Sequence, residues 1–327
     1  MADHAIDDFD GDIFIYRGGR APQHITHARI DKSINEIEND AFKYCERLLT
    51  VVTHDGIRKV GKEAFCGCRS LRRINLKSAV EIEEDAFFGC ENLKSVKIGD
   101  KLEIIGRNVF NGTSKKHLTL EHLKLPSIIT IGRSGFFGCV SLIDIEVSER
   151  LQTIGPSAFW KCERLQRIAV PLKRNLFEFD YIGETYDQFE GCEQLTTIDI
   201  VGGVHKTIAS LHMDNWRTEM IAEINRINQV LPNTPADDKT EEIRQWMDSL
   251  LDKMDHYKSE HFRYVKEGIT LLELALWKAK LGEKEEYAAE GKRKKAKVDP
   301  ERARKERRIT CGADMVIKNV LPFLKLE

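Results

Sequence analysis

Apolar residues recur through the first two thirds of the chain in units of 22 to 30 residues. Each unit contains a frame in which a residue, usually small, and Phe are followed after two variable positions by Cys, and after two more by Leu. Six copies of this frame begin at Ala41, Ala64, Ala86, Gly135, Ala158 and Gln188. A seventh copy begins at Val109 and has Thr113 in place of Cys. Self-similarity at this period predicts a solenoid, in which each coil packs on its neighbours.

A second pattern, of alternating apolar and polar residues, follows the Leu of each frame. After Leu71, for example, Ile74 and Leu76 are apolar, whereas Arg73 and Asn75 are polar. A period of two is typical of a β-strand with one buried face. Each repeat therefore supplies a short strand that can pair in parallel with the strand of the next repeat.

The Phe and Cys of the frame are predicted to be core residues. Seven Phe rings at a fixed place in each coil should stack as one internal column. The Cys is interpreted as a small buried residue with a weak hydrogen-bond donor, and Thr113 satisfies the same requirement. An alternative is a metal site, since Cys66 adds a second thiol beside Cys68. We favour the structural role, because zinc ligands normally converge from short loops, and we expect no metal or cofactor.

Two adjacent copies contain the whole unit, including an Ile-Gly pair before the frame. These copies are Ile131-Gly132, Gly135-Phe136, Cys139 and Leu142, and Ile154-Gly155, Ala158-Phe159, Cys162 and Leu165. The repeats resemble the BspA-like leucine-rich repeats, a Treponema-type class, over about residues 22–203. The resemblance implies a curved solenoid that binds proteins or surface ligands.

Helical spacing replaces the repeat after Gly203, with apolar residues three to five positions apart. We predict three helices, the first two separated by Pro232 and Pro235 and the last two by a break at Gly268. They either cap the last coil or form a dimerisation bundle. The predicted fold is thus an α/β solenoid, a right-handed leucine-rich-repeat coil with a parallel concave β-sheet, followed by a C-terminal helical bundle or cap.

Five regions follow from these patterns. We predict an N-terminal segment at 1–21, a solenoid of seven or eight repeats at 22–203, a helical domain at 204–282, a charged basic linker at 283–308, and an apolar C-terminal segment at 309–327 that packs on the bundle. The helical domain also provides a possible surface for a homodimer.

The polar side chains between the buried strand residues form the candidate ligand-binding face. The candidates are Arg73, Asn75, Lys77, Lys97, His122, Lys124, Asp144, Glu146 and Arg167. Their order gives a basic middle followed by acidic residues, a boundary that would orient a bipolar protein partner. The alternative is that these charges only solvate an exposed sheet face.

The formal net charge of -2 hides a basic region near the C-terminus. Residues 291–308 contain ten Lys or Arg and three Asp or Glu. The first basic cluster consists of Lys292, Arg293, Lys294, Lys295 and Lys297. Three interpretations remain open: a nuclear-localisation signal, a solvated charged helix, and non-specific contact with nucleic-acid phosphates.

The sequence contains no phosphate loop, nucleophile elbow or zinc-protease motif, so we expect no enzyme activity. The acidic start and the lack of a membrane-length apolar run predict a location in the cytoplasm, the nucleus or both, without secretion or membrane insertion. The function predicted first is a scaffold that binds a protein partner on the concave face. The alternative is a nuclear nucleic-acid-associated factor that acts through the basic segment.

Overall fold

The computed structural model describes residues 13–111, 120–178, 187–201 and 213–290. Within them, parallel strands form three sheets. The N-terminal long-strand sheet has the order β1 (Phe14–Tyr16), β2 (His27–Ile30), β4 (Thr50–Val52), β6 (Arg73–Leu76) and β8 (Ser95–Ile98). The C-terminal long-strand sheet has the order β10 (His122–Leu125), β12 (Asp144–Val147), β14 (Arg167–Pro171) and β15 (Thr197–Val201).

The short-strand sheet consists of two-residue strands, each from the segment between a long strand and the next frame. Its order is β13 (Thr153–Ile154), β11 (Thr130–Ile131), β9 (Ile104–Ile105), β7 (Glu81–Ile82), β5 (Lys59–Val60) and β3 (Glu36–Ile37). Each complete coil therefore contributes one strand to a long-strand sheet and one to the short-strand sheet. The solenoid prediction is confirmed.

The long strands follow the predicted alternation. Ile74 and Leu76 are buried and lie opposite Val96 and Ile98 of the next coil. The first coil begins earlier than residue 22, because β1 pairs in parallel with β2. β1 lies in the N-terminal segment 1–21, in which the sequence patterns predict no strand.

The seven frame Phe rings form the predicted column along the core. Their consecutive ring centroids lie 5.1 to 5.9 Å apart. Tyr16 contacts the first ring, Phe42, and Phe177 meets the last, Phe189, edge to face at 5.8 Å. Phe177 therefore closes this end of the column from the long segment after β14.

The frame Cys thiols are buried, and four of them donate to the frame Phe carbonyl of the preceding coil. Cys68 Sγ lies 3.0 Å from the carbonyl oxygen of Phe42, and Cys90 Sγ lies 3.1 Å from that of Phe65. Cys162 and Cys192 make the equivalent bonds to frame Phe carbonyls. The predicted role of a small buried donor is confirmed for these copies.

The Gly of the Ile-Gly pair permits close contact between coils. A Cβ atom at Gly155 would lie 2.5 Å from the backbone nitrogen of Arg133 in the preceding coil, closer than carbon and nitrogen can approach. Gly138, in the turn before Cys139, has a different role: its φ of +66° lies in the left-handed region. A Cβ there would meet open space.

In residues 213–290 the structure describes two long helices, α1 (Met213–Val230) and α2 (Lys239–Glu290), separated by 3₁₀ turns at Leu231–Asn233 and Ala236–Asp238. The predicted break between them at the two prolines is confirmed. The predicted break at Gly268 is wrong, because α2 continues through it. A single Gly in a helix costs only about 1 kcal/mol, and the residues around it favour helix.

The chain divides into two compact units, residues 1–251 and 252–327. The division lies inside α2, whereas the sequence placed the start of the helical domain at residue 204. The reason is that α1 and the first turns of α2 pack on the last coil. Trp246 of α2 is buried, and its Nε1 donates to the carbonyl oxygen of Glu223 in α1 at 3.2 Å.

Polar side chains from these helices close the exposed end of the solenoid. The Asn228 side-chain oxygen accepts from the backbone nitrogen of Ile198 at 2.8 Å, and its nitrogen donates to the carbonyl oxygen of Ile198. Lys239 Nζ is buried and lies within 3.1 Å of the carbonyl oxygens of Cys192, Glu193 and Leu195. These residues satisfy backbone groups that a further coil would otherwise pair. Within residues 1–251 the helices thus cap the solenoid.

Candidate ligand-binding face

The polar candidates lie on the outward side of the long strands, which we call the strand face. Eight of the nine are strand residues, and Lys77 lies in the turn directly after β6. All nine are exposed or half-buried. The face is divided between two sheets, since β8 and β10 belong to different sheets in the described part of the chain. The structure therefore arranges the candidates as two groups.

The first group, on the N-terminal long-strand sheet, is basic. It contains Arg73, Asn75 and Lys97, with Lys77 beside them. Asn75 lies opposite Lys97 in the strand register, and its side-chain oxygen accepts from the Lys77 backbone nitrogen at 3.2 Å. This bond fixes the turn that carries the Lys77 side chain.

Two further basic residues extend this group along the sheet. His27 and Arg29 occupy the outward positions of β2, and His27 Nδ1 lies 2.7 Å from the Oγ1 atom of Thr50. The outward positions of β2, β4, β6 and β8 are His27, Arg29, Thr50, Val52, Arg73, Asn75, Ser95 and Lys97. No Asp or Glu occurs among these eight positions. The same alternation that identified Arg73 identifies His27 and Arg29.

The second group, on the C-terminal long-strand sheet, pairs its charges internally. Arg167 donates to Asp144 at 2.8 Å and to Asp199 at 2.7 Å. Lys124 Nζ lies 3.5 Å from a carboxylate oxygen of Glu146 in the opposite register position. The pKa of the Arg167 guanidinium is raised, mainly by the hydrogen bond to Asp144. The hydrogen bond to Asp199 raises this pKa further.

His122 completes this second group. It lies opposite Asp144 in the register, with His122 Nδ1 3.9 Å from a carboxylate oxygen of Asp144. The acidic residues that the sequence marked as one side of a charge boundary are therefore engaged by neighbouring cations. Sequence alternation located them correctly on the face, but their pairing depends on the register between strands.

The buried thiols have little nucleophilic character at neutral pH. Burial raises the pKa of Cys139 to about 12 and that of Cys45 to about 11. Since the thiolate is the reactive and metal-binding form, these residues are poor ligands and poor nucleophiles. Among the described residues, no group of three or more His, Cys, Asp or Glu side chains is arranged to hold a metal ion.

The predicted targeting residues lie outside the described part of the chain. They are Lys292, Arg293, Lys294, Lys295 and Lys297. Their interpretations as a nuclear signal or a nucleic-acid contact stay predictions, as does the packing of residues 309–327. In the helices that the structure does describe, no segment combines the length and apolar character needed to cross a membrane.

Stacked parallel strands, an aromatic column and repeated thiol-to-carbonyl bonds define a leucine-rich-repeat solenoid. The family model described as "BspA type Leucine rich repeat region (6 copies)" matches residues 21–123 and 115–219, more than half of the chain. The chain belongs to this family. A comparison with curated proteins finds no match.

The chain is also similar to solved structures of two leucine-rich repeat proteins. The leucine-rich repeat protein TpLRR of T. pallidum is 24% identical, and the match covers 64% of this chain and 86% of that protein with a TM-score of 0.36. A leucine-rich repeat protein from Bacteroides ovatus is 19% identical, with coverage of 54% and 55% and a TM-score of 0.33.

Proposed function

We propose that the protein is a non-enzymatic scaffold that binds a protein partner on its strand face. The partner segment that contacts the N-terminal long-strand sheet is acidic. The observation that carries this proposal is the charge of that sheet: basic side chains recur at outward positions of β2, β6 and β8, where no acidic residue occurs. Repeat solenoids with a regular array of side chains are suited to extended binding surfaces.

The geometry favours an extended acidic segment that crosses the strands. Neighbouring strands in a sheet lie about 4.8 Å apart, so the basic residues of β6 and β8, together with those of β2 beyond β4, form a row that an extended peptide can follow. Complementary charge of this kind contributes to the association rate and to the choice of partner. Thr50, Asn75 and Ser95 add hydrogen-bonding groups to the same row.

The second group has a different part in this proposal. Because Arg167, Lys124 and their acidic neighbours neutralise one another, the C-terminal sheet offers hydrogen bonds with little net charge. We assign to it the polar part of the partner beside the acidic segment. The two sheets together would fix the direction in which the partner lies.

A labelled poly-glutamate peptide tests the charge preference. Its binding to the full chain is measured by fluorescence anisotropy for the wild type and for a variant with Arg73→Glu, Lys77→Glu and Lys97→Glu. We expect the variant to bind at least about 10-fold more weakly, since three attractive contacts become repulsive. The basic segment near the C-terminus is present in both proteins, so the difference isolates the sheet.

A control variant reverses three exposed basic residues outside the strands, Arg47, Lys101 and Arg164. It has the same net charge as the face variant. Equal weakening by both variants would show that total charge rather than the strand face governs binding, and would contradict the proposal.

The proposal also places the protein inside the cell. It is supported by the seven described cysteines, which are all free thiols, and by the basic cluster at 292–297. A fluorescent fusion of the full chain is expected in the cytoplasm and nucleus, and deletion of 292–297 should reduce its nuclear fraction. An unchanged nuclear fraction would remove the targeting role of this cluster.

A further inference from the structure

The second half of α2 exposes a stripe of large apolar side chains. Phe262, Leu272 and Leu276 are 44%, 63% and 39% exposed, and Ile269 is half-buried. From Phe262 onward these residues are spaced by seven, three and four positions, and Val265 completes the alternation of three and four in the sequence. This is the spacing of the contact line in a coiled coil. We call the line formed by Phe262, Val265, Ile269, Leu272 and Leu276 the stripe.

Beside the stripe, Arg263 is paired with acidic residues of the same helix. Arg263 donates to Glu260 at 2.7 Å and lies 4.0 Å from Glu267. These acidic residues interrupt the neighbouring row that contains Tyr264 and Leu271. In the sequence, no charged residue interrupts the stripe from Phe262 to Leu276.

The charges beside the stripe indicate which occupant covers it. Lys266 and Glu273 occupy the same side of the stripe, one heptad apart. If a second copy lies antiparallel, with its Leu272 level with Ile269, then Lys266 of each copy lies next to Glu273 of the other. The two-fold symmetry of such a dimer makes this favourable pair twice.

A parallel arrangement lacks this complementarity. In a parallel pair, the two contact lines are in register, and a residue on this side of the stripe faces the residue five positions earlier in the other copy. Lys266 would then face His261 of the other copy, and Glu273 would face its Gly268. Neither pair joins opposite charges. Charge complementarity therefore selects the antiparallel copy.

The other side of the stripe permits close approach. Gly268 lies there, and a Cβ atom built at this residue would meet nothing within 4 Å. Ala275 follows one heptad later in the sequence. Small residues along one edge of a helix let a second backbone come near, so Gly268 has a function that compensates for its cost in a helix.

We propose that residues 262–276 of α2 bind the same segment of a second copy as an antiparallel coiled coil. The scaffold is then a dimer that presents two strand faces, which would raise the avidity for a partner with repeated acidic segments. The dimer does not depend on the function proposed for the strand face, since the two use different residues.

Light scattering of the full chain tests the proposal. We expect twice the monomer mass of 37.5 kDa, falling to the monomer mass on dilution. Leu272→Lys places a charge in the stripe and should yield a monomer. The matched control is Leu274→Lys, a leucine 59% exposed on another side of the helix, which should leave the dimer intact. A wild-type monomer at all concentrations, or equal effects of the two variants, would overturn the proposal.

Charge reversal tests the orientation. Lys266→Glu and Glu273→Lys should each weaken the dimer by about 10-fold, because each replaces two attractive pairs with two repulsive ones. The double variant should restore the wild-type affinity, since the pairs are exchanged. Single variants without effect, or a double variant no better than the singles, would exclude the antiparallel arrangement.

Discussion

The backbone nitrogen of Phe189 donates to the Oγ1 atom of Thr240 at 3.1 Å. In the preceding coil the nitrogen of Phe159 donates instead to the backbone carbonyl of Gln188 at 3.0 Å. The hydroxyl at the start of α2 thus takes the place of the carbonyl that a further coil would supply. A single side chain ends a ladder of backbone bonds that the repeat itself cannot end.

Removal of this cap should destabilise the last coil. Thr240→Val keeps the shape of the side chain but leaves the buried Phe189 nitrogen without its acceptor, at an expected cost of about 1 to 3 kcal/mol. Thr240→Ser retains the hydroxyl and should cost less. Denaturant unfolding measures both changes, and equal stability of the Val variant and the wild type would contradict the capping role.

Lys239 should contribute more than Thr240, because it satisfies three carbonyl oxygens. Lys239→Met preserves much of the aliphatic chain and removes all three bonds, with an expected loss of about 3 kcal/mol or more. Hydrogen exchange should show the loss of protection in β15 first, while β2 stays protected. Uniform loss of protection through the solenoid would argue against a local cap.

The aromatic column predicts a sharp difference between two adjacent residues. Phe87 is buried in the column, whereas its neighbour Phe88 is 41% exposed. Phe87→Ala should reduce the free energy of unfolding by about 3 to 5 kcal/mol, because it leaves a cavity between stacked rings. Phe88→Ala should cost less than about 1 kcal/mol. Comparable losses would contradict the account of the core.

Two glycines should respond differently to the same substitution. Gly138→Ala should cost about 1 kcal/mol, because the left-handed φ disfavours a side chain although space is available. Gly155→Ala should cost more, since its Cβ would overlap the backbone of the preceding coil. Thermal unfolding of the two variants measures the order, and a more damaging change at Gly138 would show that coil spacing is not limited by the Ile-Gly pair.

Burial of the frame thiol Cys139 predicts a loss of stability at alkaline pH. Burial raises the pKa of Cys139 from 9.0 to about 12, so between these values the unfolded chain has lost a proton that the folded chain keeps. The stabilising difference is fully present below pH 9 and is lost as the pH rises toward 12. Cys139→Ser should therefore flatten the fall in unfolding free energy between pH 9 and 11. An unchanged slope would contradict the raised pKa.

Repetition explains how much of this fold could be predicted from the sequence. The places of Phe87, Cys90 and Ile74 are fixed by a frame that appears many times, so each copy supports the interpretation of the others. The same alternation placed Arg73 and Asp144 on the strand face. Where a feature recurs in every repeat, the pattern of residue types is sufficient to predict where each residue lies in the fold.

Features that occur once were harder to predict. No repeat contains the capping residues Asn228, Lys239 and Thr240. Their hydrogen-bond partners are backbone groups of the last coil, at least 30 residues earlier in the sequence. The pairing of Arg167 with Asp144 and Asp199 depends on the strand register, which alternation alone does not define. The intrinsic propensity of Gly268 predicts a break, but a helix of this length accommodates one unfavourable residue.

In the function proposed above, the basic strand face of the N-terminal sheet selects the partner. Affinity capture from the source cells with quantitative mass spectrometry, using the wild type, the face variant at Arg73, Lys77 and Lys97, and the control variant at Arg47, Lys101 and Arg164, tests it directly. We expect proteins with acidic segments to be recovered by the wild type and the control variant and to be lost with the face variant. Recovery of the same proteins in equal amounts by all three would contradict it.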